Sequence, residues 1–302
     1  MRVFAIILNH READQTLRLL DALGRVRYDP LEVLVVDNAS GAGDLVRLRQ
    51  RAEVIDSGGN LGYAGGNNVG IREALSRGAE AAWILNPDVE PSRRSLGRLV
   101  ETMRSEERIG VLGCRILEGE GDYPTVQSEG GEIVWGAGGR SELIGRGTHL
   151  KRRRRTVEVR DVDFVPGAAM LVRREVFEQV GLLPEQYFMY FEETEFCLQV
   201  REAGWRVAVD PNAEVTHYSG RRIGLPSETY VYYFIRNRLL FGKEHTDVPF
   251  DDLVADVEEW VGSWRRRVEE VDADWLPRFE TLVERAITDA RAGTYGKVDL
   301  EA

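Results

Sequence analysis

Over roughly its first hundred residues this chain alternates short, wholly apolar runs with stretches of helical spacing, and each apolar run ends in small or polar residues. Val3 to Leu8, Leu31 to Val36, a shorter Glu53 to Ile55, and Ala81 to Leu85 read as strands. Ala13 to Leu23, Asp44 to Arg51 and Ala64 to Arg77 carry the helical period between them. Strands joined by helices lie mostly parallel, so the fold class is α/β, a mostly parallel central sheet flanked by helices. Ligands of such sheets bind beyond the carboxyl ends of the strands. The residues expected to matter therefore follow each strand: Asn9-His10-Arg11, Asp37-Asn38-Ala39-Ser40, Ser57-Gly58-Gly59-Asn60 and Asn86-Pro87-Asp88.

Beyond this alternation the pattern changes. From Gly113 to about Val157 glycine is dense and helical period is absent, which predicts hairpins and loops, with the "KRRRR" run at 151–155 read as a solvated loop. Order returns in "VDFVPGAAMLVRREVFEQVGLL", where a strand leads into a short helix after Pro166-Gly167. A helix from about Glu192 to Ala203 ends at Gly204, and short strands are expected at Arg206 to Val209 and Glu214 to His217. Past Pro226 the chain is largely helical, its later acidic helices broken near Pro277. Those helices match no motif and are read as a cap or as an oligomer contact such as a homodimer.

Composition excludes several classes. The net charge of -11 argues against a nucleic-acid-coating role. The two cysteines, Cys114 and Cys197, form no motif, which points to a reducing compartment rather than a disulfide scaffold. The apolar run before Asn9 is too short for a signal peptide or a membrane span, and no other stretch reaches spanning length. A soluble, cytoplasmic protein is expected, at most lying on the inner face of a membrane. The aromatic and basic "YVYYFIRNRLLF" invites that peripheral contact, against a reading in which its aromatics pack the helix against the protein's α/β domain.

The glycines of "SGGNLGYAGGNNVGI" follow the third strand rather than the first, and no Walker lysine is present, so neither a nicotinamide fold nor a P-loop is indicated. A tight turn with close helix–sheet packing is one reading of Gly62, Gly65 and Gly66, and close approach of the backbone to a phosphate is the other. Asn67 and Asn68, two mediocre helix formers at a helix start, suggest side chains used as donors or acceptors. Asp37 ends an apolar strand, where a carboxylate accepts from an imide N–H of uracil or thymine or from a ribose hydroxyl, with helix capping as the competing role. Asp88 projects after a stiffening proline, where one carboxylate suffices to hold Mg²⁺ or Mn²⁺ on diphosphate oxygens. His217, one of only four histidines, ends a late strand and would suit Mn²⁺ beside Asp88. In "YFMYFEETEFC" the carboxylates of Glu192, Glu193 and Glu195 leave an aromatic wall, a setting that raises basicity.

Taken in order, "VVDNAS", "GGNLGYAGGNNVGI", "ILNPDVE", "VPGAAMLVRREVFEQVGLL", "YFMYFEETEFCLQVREAGWRV", "NAEVTHYSG" and "YYFIRNRLL" resemble glycosyltransferase family 2 and, within it, the rhamnosyltransferase-like branch. The resemblance runs from about residue 3 to 241. It implies an inverting, metal-dependent enzyme of the Rossmann-like GT-A fold, with a catalytic domain at 1–225 and a helical extension at 226–302. Residues 1–112 would form the nucleotide-sugar half and 113–225 the acceptor half. It implies that Asp37 recognises the base and that Asn9, Asn38, Gly65, Asn67 and Asn86 lie in segments lining the nucleotide-sugar pocket. Asp88 takes the metal position of the family's Asp-x-Asp motif, here reduced to Asn86-Pro87-Asp88, and His217 completes the metal shell. Glu193 falls on the usual general base, with Glu192 as the alternative, and Arg236 and Asn237 face the diphosphate or the acceptor.

One departure accompanies the match. Relatives commonly read Glu-Asp-x-Asp-Leu where this chain reads Glu192-Glu193-Thr194-Glu195-Phe196. An added methylene displaces a carboxylate by roughly 1 Å, a distance that matters in a preorganised site. The expected partners are a nucleotide-diphosphate sugar, first of all dTDP-rhamnose, and a glycan or lipid-linked acceptor of cell-surface polysaccharide. UDP-hexose and GDP-mannose are the alternative donors, and a non-catalytic sugar-nucleotide-binding protein is the alternative class.

Overall fold

A computed structural model describes residues 1–118, 124–150, 157–218 and 225–301. The chain divides into two compact units. The first comprises Met1–Glu132, Leu143–Pro184 and Glu193–Ser219, and the second Ile133–Glu142, Glu185–Glu192 and Gly220–Ala302. The expected "KRRRR" loop lies outside the described residues.

In the first unit, β1 (Val3–Asn9), α1 (Ala13–Leu23), β2 (Leu31–Asp37), α2 (Ala42–Arg49), β3 (Glu53–Asp56), α3 (Gly62–Ser76) and β4 (Ala81–Leu85) realise the expected alternation. Strand β1 lies parallel to β2 and to β4, and β2 parallel to β3. Every residue of β1 and β4 is buried, because helices cover both faces of a parallel sheet and leave no polar side for alternation. The unit continues through β5 (Val89–Pro91), α4 (Ser95–Ser105), β6 (Ile109–Glu118) and β7 (Thr125–Ser128). A separate two-stranded sheet of β8 (Gly131–Val134) and β9 (Arg140–Leu143) follows, most of it in the second unit. Next come β10 (Arg160–Asp161), β11 (Ala169–Arg173), α5 (Arg174–Gln179), α6 (Glu192–Glu202) and β12 (Arg206–His217). The main sheet runs β10-β12-β6-β11-β4-β1-β2-β3, with β5 on β12 and β7 on β6. Its core gathers Ile7, Val35, Trp83, Leu99, Leu112 and Leu171 among others.

Two expectations need correction. The stretch from Gly113 does not open into loops at once: Gly113 to Glu118 complete the central strand β6. Glycine occurs there for contact rather than for flexibility, since a Cβ on Gly113 would stand 2.6 Å from Val165 Cγ1. Likewise the two short strands expected around Pro211 are one strand, β12, with an irregular register between Asp210 and Glu214. Asp210 stabilises that bulge, one carboxylate oxygen accepting from Arg98 Nε (2.8 Å) and Thr102 Oγ1 (2.6 Å), the other from the Asn212 amide (3.0 Å).

Helix α3 explains its glycines by packing. A Cβ on Gly70 would meet Ile6 Cγ2 at 2.6 Å and Val36 Cγ2 at 3.0 Å, and one on Gly66 would meet Leu8 Cδ1 at 2.3 Å. Ile6 and Val36 are β-branched and locked in strands, so they cannot swing aside. Gly70→Ala is therefore expected to destabilise the protein: overpacking of about 1–3 kcal/mol outweighs the helix-propensity gain of up to ~1 kcal/mol. A thermal melt checks it, and an unchanged or higher Tm would refute the close-contact account.

The second unit is helical: α7 (Glu228–His245), α8 (Phe250–Val271) and α9 (Leu276–Ala292). Ser227 caps α7 by accepting from the Tyr230 amide, and Pro277 sits in the first turn of α9, where a missing N–H costs nothing. Val231, Tyr232, Tyr233, Ile235, Leu239, Leu240 and Phe241 of α7 are buried. Among the described residues no helix is long and apolar enough to cross a membrane.

Candidate functional site

The carboxyl ends of β1 and β2 are stitched together by side chains. Asn9, fully buried at the end of β1, donates from Nδ2 to Asp37 Oδ1 (3.0 Å) and to Ser40 Oγ (2.7 Å), while its Oδ1 accepts from Thr16 Oγ1 (2.7 Å). The Ser40 amide donates to the other Asp37 oxygen (3.2 Å). Asp37 thus ties the turn after β2 through one oxygen, whereas the N-cap of α2 is Gly41 with no side-chain cap bond, so Asp37 does not cap that helix. Asn38 is committed to the chain: Nδ2 donates to the Gly62 carbonyl (3.1 Å) and Oδ1 accepts from the Leu61 amide (2.9 Å), which folds the glycine loop back over the strand end.

Gly65, Asn67 and Asn68 are buried in the first turns of α3. Asn68 acts as a substitute backbone partner, donating to the Leu183 carbonyl (2.8 Å) and accepting from the Leu183 amide (3.0 Å). Asn67 differs. Its Nδ2 donates to the Tyr63 carbonyl (3.0 Å), but its buried Oδ1 makes no hydrogen bond. A buried acceptor left unmatched costs about 1–3 kcal/mol and marks a place where a ligand N–H or O–H is welcome.

Asn86, its amide bonded to the Ala168 carbonyl (3.0 Å), leads through Pro87 to Asp88. The antiparallel register of β5 on β12 pairs Val89 with His217, and that brings His217 Nε2 to 3.0 Å from Asp88 Oδ1. His217 Nδ1 lies 2.7 Å from Gln127 Oε1 on β7, an oxygen that can only accept, so Nδ1 donates to it. Nε2 then turns a lone pair toward a carboxylate, and a proton or a metal cation has to lie between them. The donor set, one carboxylate and one imidazole with an amide behind it, suits Mn²⁺ or Mg²⁺. Among the described residues no three His, Cys, Asp or Glu side chains gather to hold an ion by themselves, so a cation here would complete its shell with oxygens of a ligand. Glu12, which follows β1, belongs to the same electrostatic neighbourhood: burial and then Asp88 push its carboxyl above the usual range, and His217 pulls it back.

Glu193, half-buried in the first turn of α6, has one carboxylate oxygen, Oε2, shielded and without a hydrogen bond. Burial raises its pKa above the ordinary carboxylate range, and bonds from its own amide and from that of Gly167 offset this only in part. The Gly167 carbonyl accepts from Tyr63 OH on α3 (2.5 Å). Glu195 accepts with one oxygen from Gln199 Nε2 (2.8 Å), one helical turn on. The Cys197 thiol, one turn beyond Glu193, is pushed up to about 12 by burial, as is that of Cys114, and both are free and unreactive.

Arg236 and Glu192 belong to the second unit. Arg236, expected to face the diphosphate or acceptor, is fully buried and bonded to the Tyr187 and Gly296 carbonyls and to Asn237 Oδ1. Glu192 is buried at the first position of α6. Just before it, Phe188, Tyr190 and Phe191 hold φ of 66°, 66° and 75°, a left-handed backbone that costs bulky residues about 1–3 kcal/mol each. Sequence reasoning missed Glu12, Gln127 and Tyr63. The first lies in a post-strand loop and was within reach, whereas the other two act through partners far away in sequence.

The profile of the family described as Glycosyl transferase family 2 matches residues 4–181. The low-salt glycan biosynthesis hexosyltransferase Agl10 of Haloferax volcanii is 30% identical over 272 residues, 85% of this chain and 82% of that protein. The N-acetylglucosaminyl-diphospho-decaprenol L-rhamnosyltransferase of Mycobacterium tuberculosis is 30% identical over 226 residues, 68% of this chain and 73% of that protein. Among solved structures, the mannosyltransferase PcManGT of Pyrobaculum calidifontis, in complex with GDP-Man and Mn²⁺, superposes with a TM-score of 0.56 at 17% identity, covering 99% of this chain and 77% of that one. At that identity the likeness concerns the fold, which is GT-A.

Proposed function

The chain belongs to glycosyl transferase family 2, and from that premise we propose that it is a metal-dependent, inverting glycosyltransferase acting on a nucleotide-diphosphate sugar. The observation that carries the reading is the Asp88–His217 pair, held at 3.0 Å beyond the carboxyl end of β4 with Gln127 behind it. Asp88 and His217 would hold Mn²⁺ or Mg²⁺, which when bound neutralises the charge developing on the diphosphate leaving group. Asp37 would accept from the imide edge of the base, and the unmatched Oδ1 of Asn67 would accept from the ribose or sugar. Glu193 would take the proton of the acceptor hydroxyl as it attacks the anomeric carbon from the face opposite the diphosphate.

The first donor to test is dTDP-rhamnose, supported by the rhamnosyltransferase likeness, with a lipid-linked or glycan acceptor of cell-surface polysaccharide. A hexose donor is the second reading, favoured by the hexosyltransferase likeness, which covers more of the chain. A thermal-shift panel of dTDP-rhamnose, UDP-glucose and GDP-mannose with and without Mn²⁺ separates them, because a ligand that binds only the native state raises Tm by mass action. A Mn²⁺-dependent rise with one donor is the expected result. No rise with any of them would leave the transferase reading without its substrate and sink it.

A further inference from the structure

We infer that Arg236 and Asn237 are positioning residues for the general base, a clamp that fixes the backbone entering α6. The inference rests on the reading of Glu193 as that base and concerns what sets its attitude. Asn237 Nδ2 lies within hydrogen-bonding distance of three carbonyls of one short segment, those of Tyr187 (3.0 Å), Met189 (2.7 Å) and Tyr190 (2.9 Å), so one of its two N–H donors is shared. Arg236 Nη2 donates to the same Tyr187 carbonyl (3.0 Å), which also accepts from the Met189 amide (2.8 Å). The amide of Asn237 is oriented in turn, because its Oδ1 accepts from Arg236 Nε (2.9 Å). Arg236 Nη1 reaches the Gly296 carbonyl (2.7 Å), and the guanidinium lies 4.8 Å from the Tyr233 ring centroid.

Two features distinguish this from packing. Both side chains are fully buried, and the bonds of Arg236 go to neutral carbonyl oxygens rather than to a carboxylate. Burying a cation on neutral oxygens is a poor way to stabilise a helix against a loop, and leucine would pack there at less cost. What the polar pair supplies instead is a fixed set of carbonyl directions. The clamped segment needs that: Phe188, Tyr190 and Phe191 are aromatic residues in the left-handed region, which persists only where the surroundings over-determine it. The same segment runs straight into Glu192 and Glu193. Phe191 stands two residues before Glu193, so a change of φ there disturbs the entry to the first turn of α6, and a carboxylate displaced by about 1 Å loses on the order of 10²-fold in rate.

The test is release of nucleoside diphosphate from whichever of dTDP-rhamnose, UDP-glucose and GDP-mannose the wild type turns over, in Asn237→Ala and Arg236→Lys. Phe279→Ala, a core truncation in α9 where the side chain is fully buried, serves as the control for lost stability. All are assayed well below their melting temperatures, with amide exchange followed over residues 187–193. Asn237→Ala is expected to lose about 10²-fold in kcat with the donor KM and the Mn²⁺-dependent thermal shift unchanged, and to exchange faster over 187–193. Arg236→Lys, which keeps a cation but not the planar fork, is expected to fall between it and wild type and keeps the test alive if the alanine variant does not fold. Phe279→Ala is expected to keep kcat. Equal kcat loss in the control, or a raised donor KM with intact kcat in Asn237→Ala, overturns the clamp while leaving the transferase reading in place. A wild type that releases no nucleoside diphosphate from any of the three removes the transferase reading, and the clamp falls with it.

Discussion

Glu193→Gln is expected to lower turnover by about 10²- to 10⁴-fold, the span that a positioned general base contributes, while donor binding persists. The substitution is nearly isosteric, so it removes the basic lone pair without opening a hole in the first turn of α6. The physical ground is the half-buried carboxylate with a shielded, unbonded Oε2 and a pKa held above the usual range chiefly by burial. A base in that state is stronger than a solvated carboxylate and meets a hydroxyl proton with less mismatch. Turnover of the wild type should then rise with pH through the raised pKa of Glu193, placing the acid limb of the kcat profile above the range of an ordinary carboxylate. If Glu193→Gln retains turnover and Glu192→Gln loses it, the base is Glu192.

The same shift has a signature in stability that needs no acceptor. A carboxyl whose folded pKa exceeds its unfolded value binds its proton more tightly in the native state. Its contribution is fully present below the unfolded pKa and is lost as pH rises through the folded one. Glutamine cannot ionise and avoids that loss. Glu193→Gln is therefore expected to melt higher than wild type at neutral pH, the advantage vanishing in acid, and an equal or lower Tm at neutral pH would show that Glu193 is not desolvated.

Much of this arrangement was legible in the sequence, and the physics says which part. Parallel strands collect their carboxyl-terminal residues along one edge, so Asn9, Asp37 and Asp88 could be picked out from the alternation alone. That Asn9 bonds to Asp37 follows from the same parallel register, which places the two side by side. The contact of Asp88 with His217 depends instead on antiparallel pairing of β5 with β12 across 129 positions, and no local pattern encodes such a register. Gln127 sits on a strand paired with its neighbour in sequence, but its contact with His217 spans 90 positions and is equally non-local. At Pro211 the local breaker signal was real, but the bonds made by Asp210 turn the break into a bulge within one strand. Arg236 shows the remaining limit. A charge on an aromatic helix reads as exposed or ligand-facing, and only the packing of the second unit reveals it buried among carbonyls.

Asp88→Ala is expected to abolish the Mn²⁺-dependent thermal shift and to cost turnover about 10³-fold or more, since charge stabilisation on a leaving group is worth several kcal/mol. Local structure should survive the change, because the backbone carbonyl of Asp88, retained in alanine, accepts the Tyr218 amide (2.8 Å), and the β5–β12 ladder is made of main-chain bonds. The competing account of the 3.0 Å contact is a plain ion pair between Asp88 and a protonated His217. The two accounts part at Gln127. Its oxygen orients the imidazole by accepting from Nδ1, so if Nε2 serves a cation, Gln127→Ala should weaken Mn²⁺ by about 10–100-fold and leave metal-free stability almost untouched. An ion pair without a cation predicts the reverse, a lower Tm in all three variants of Asp88, His217 and Gln127 and no change in the response to Mn²⁺. Graded loss of Mn²⁺ response, greatest at Asp88 and least at Gln127, is the order that a directly held cation with a supporting amide demands. Undiminished turnover in Asp88→Ala would end the metal-assisted reading.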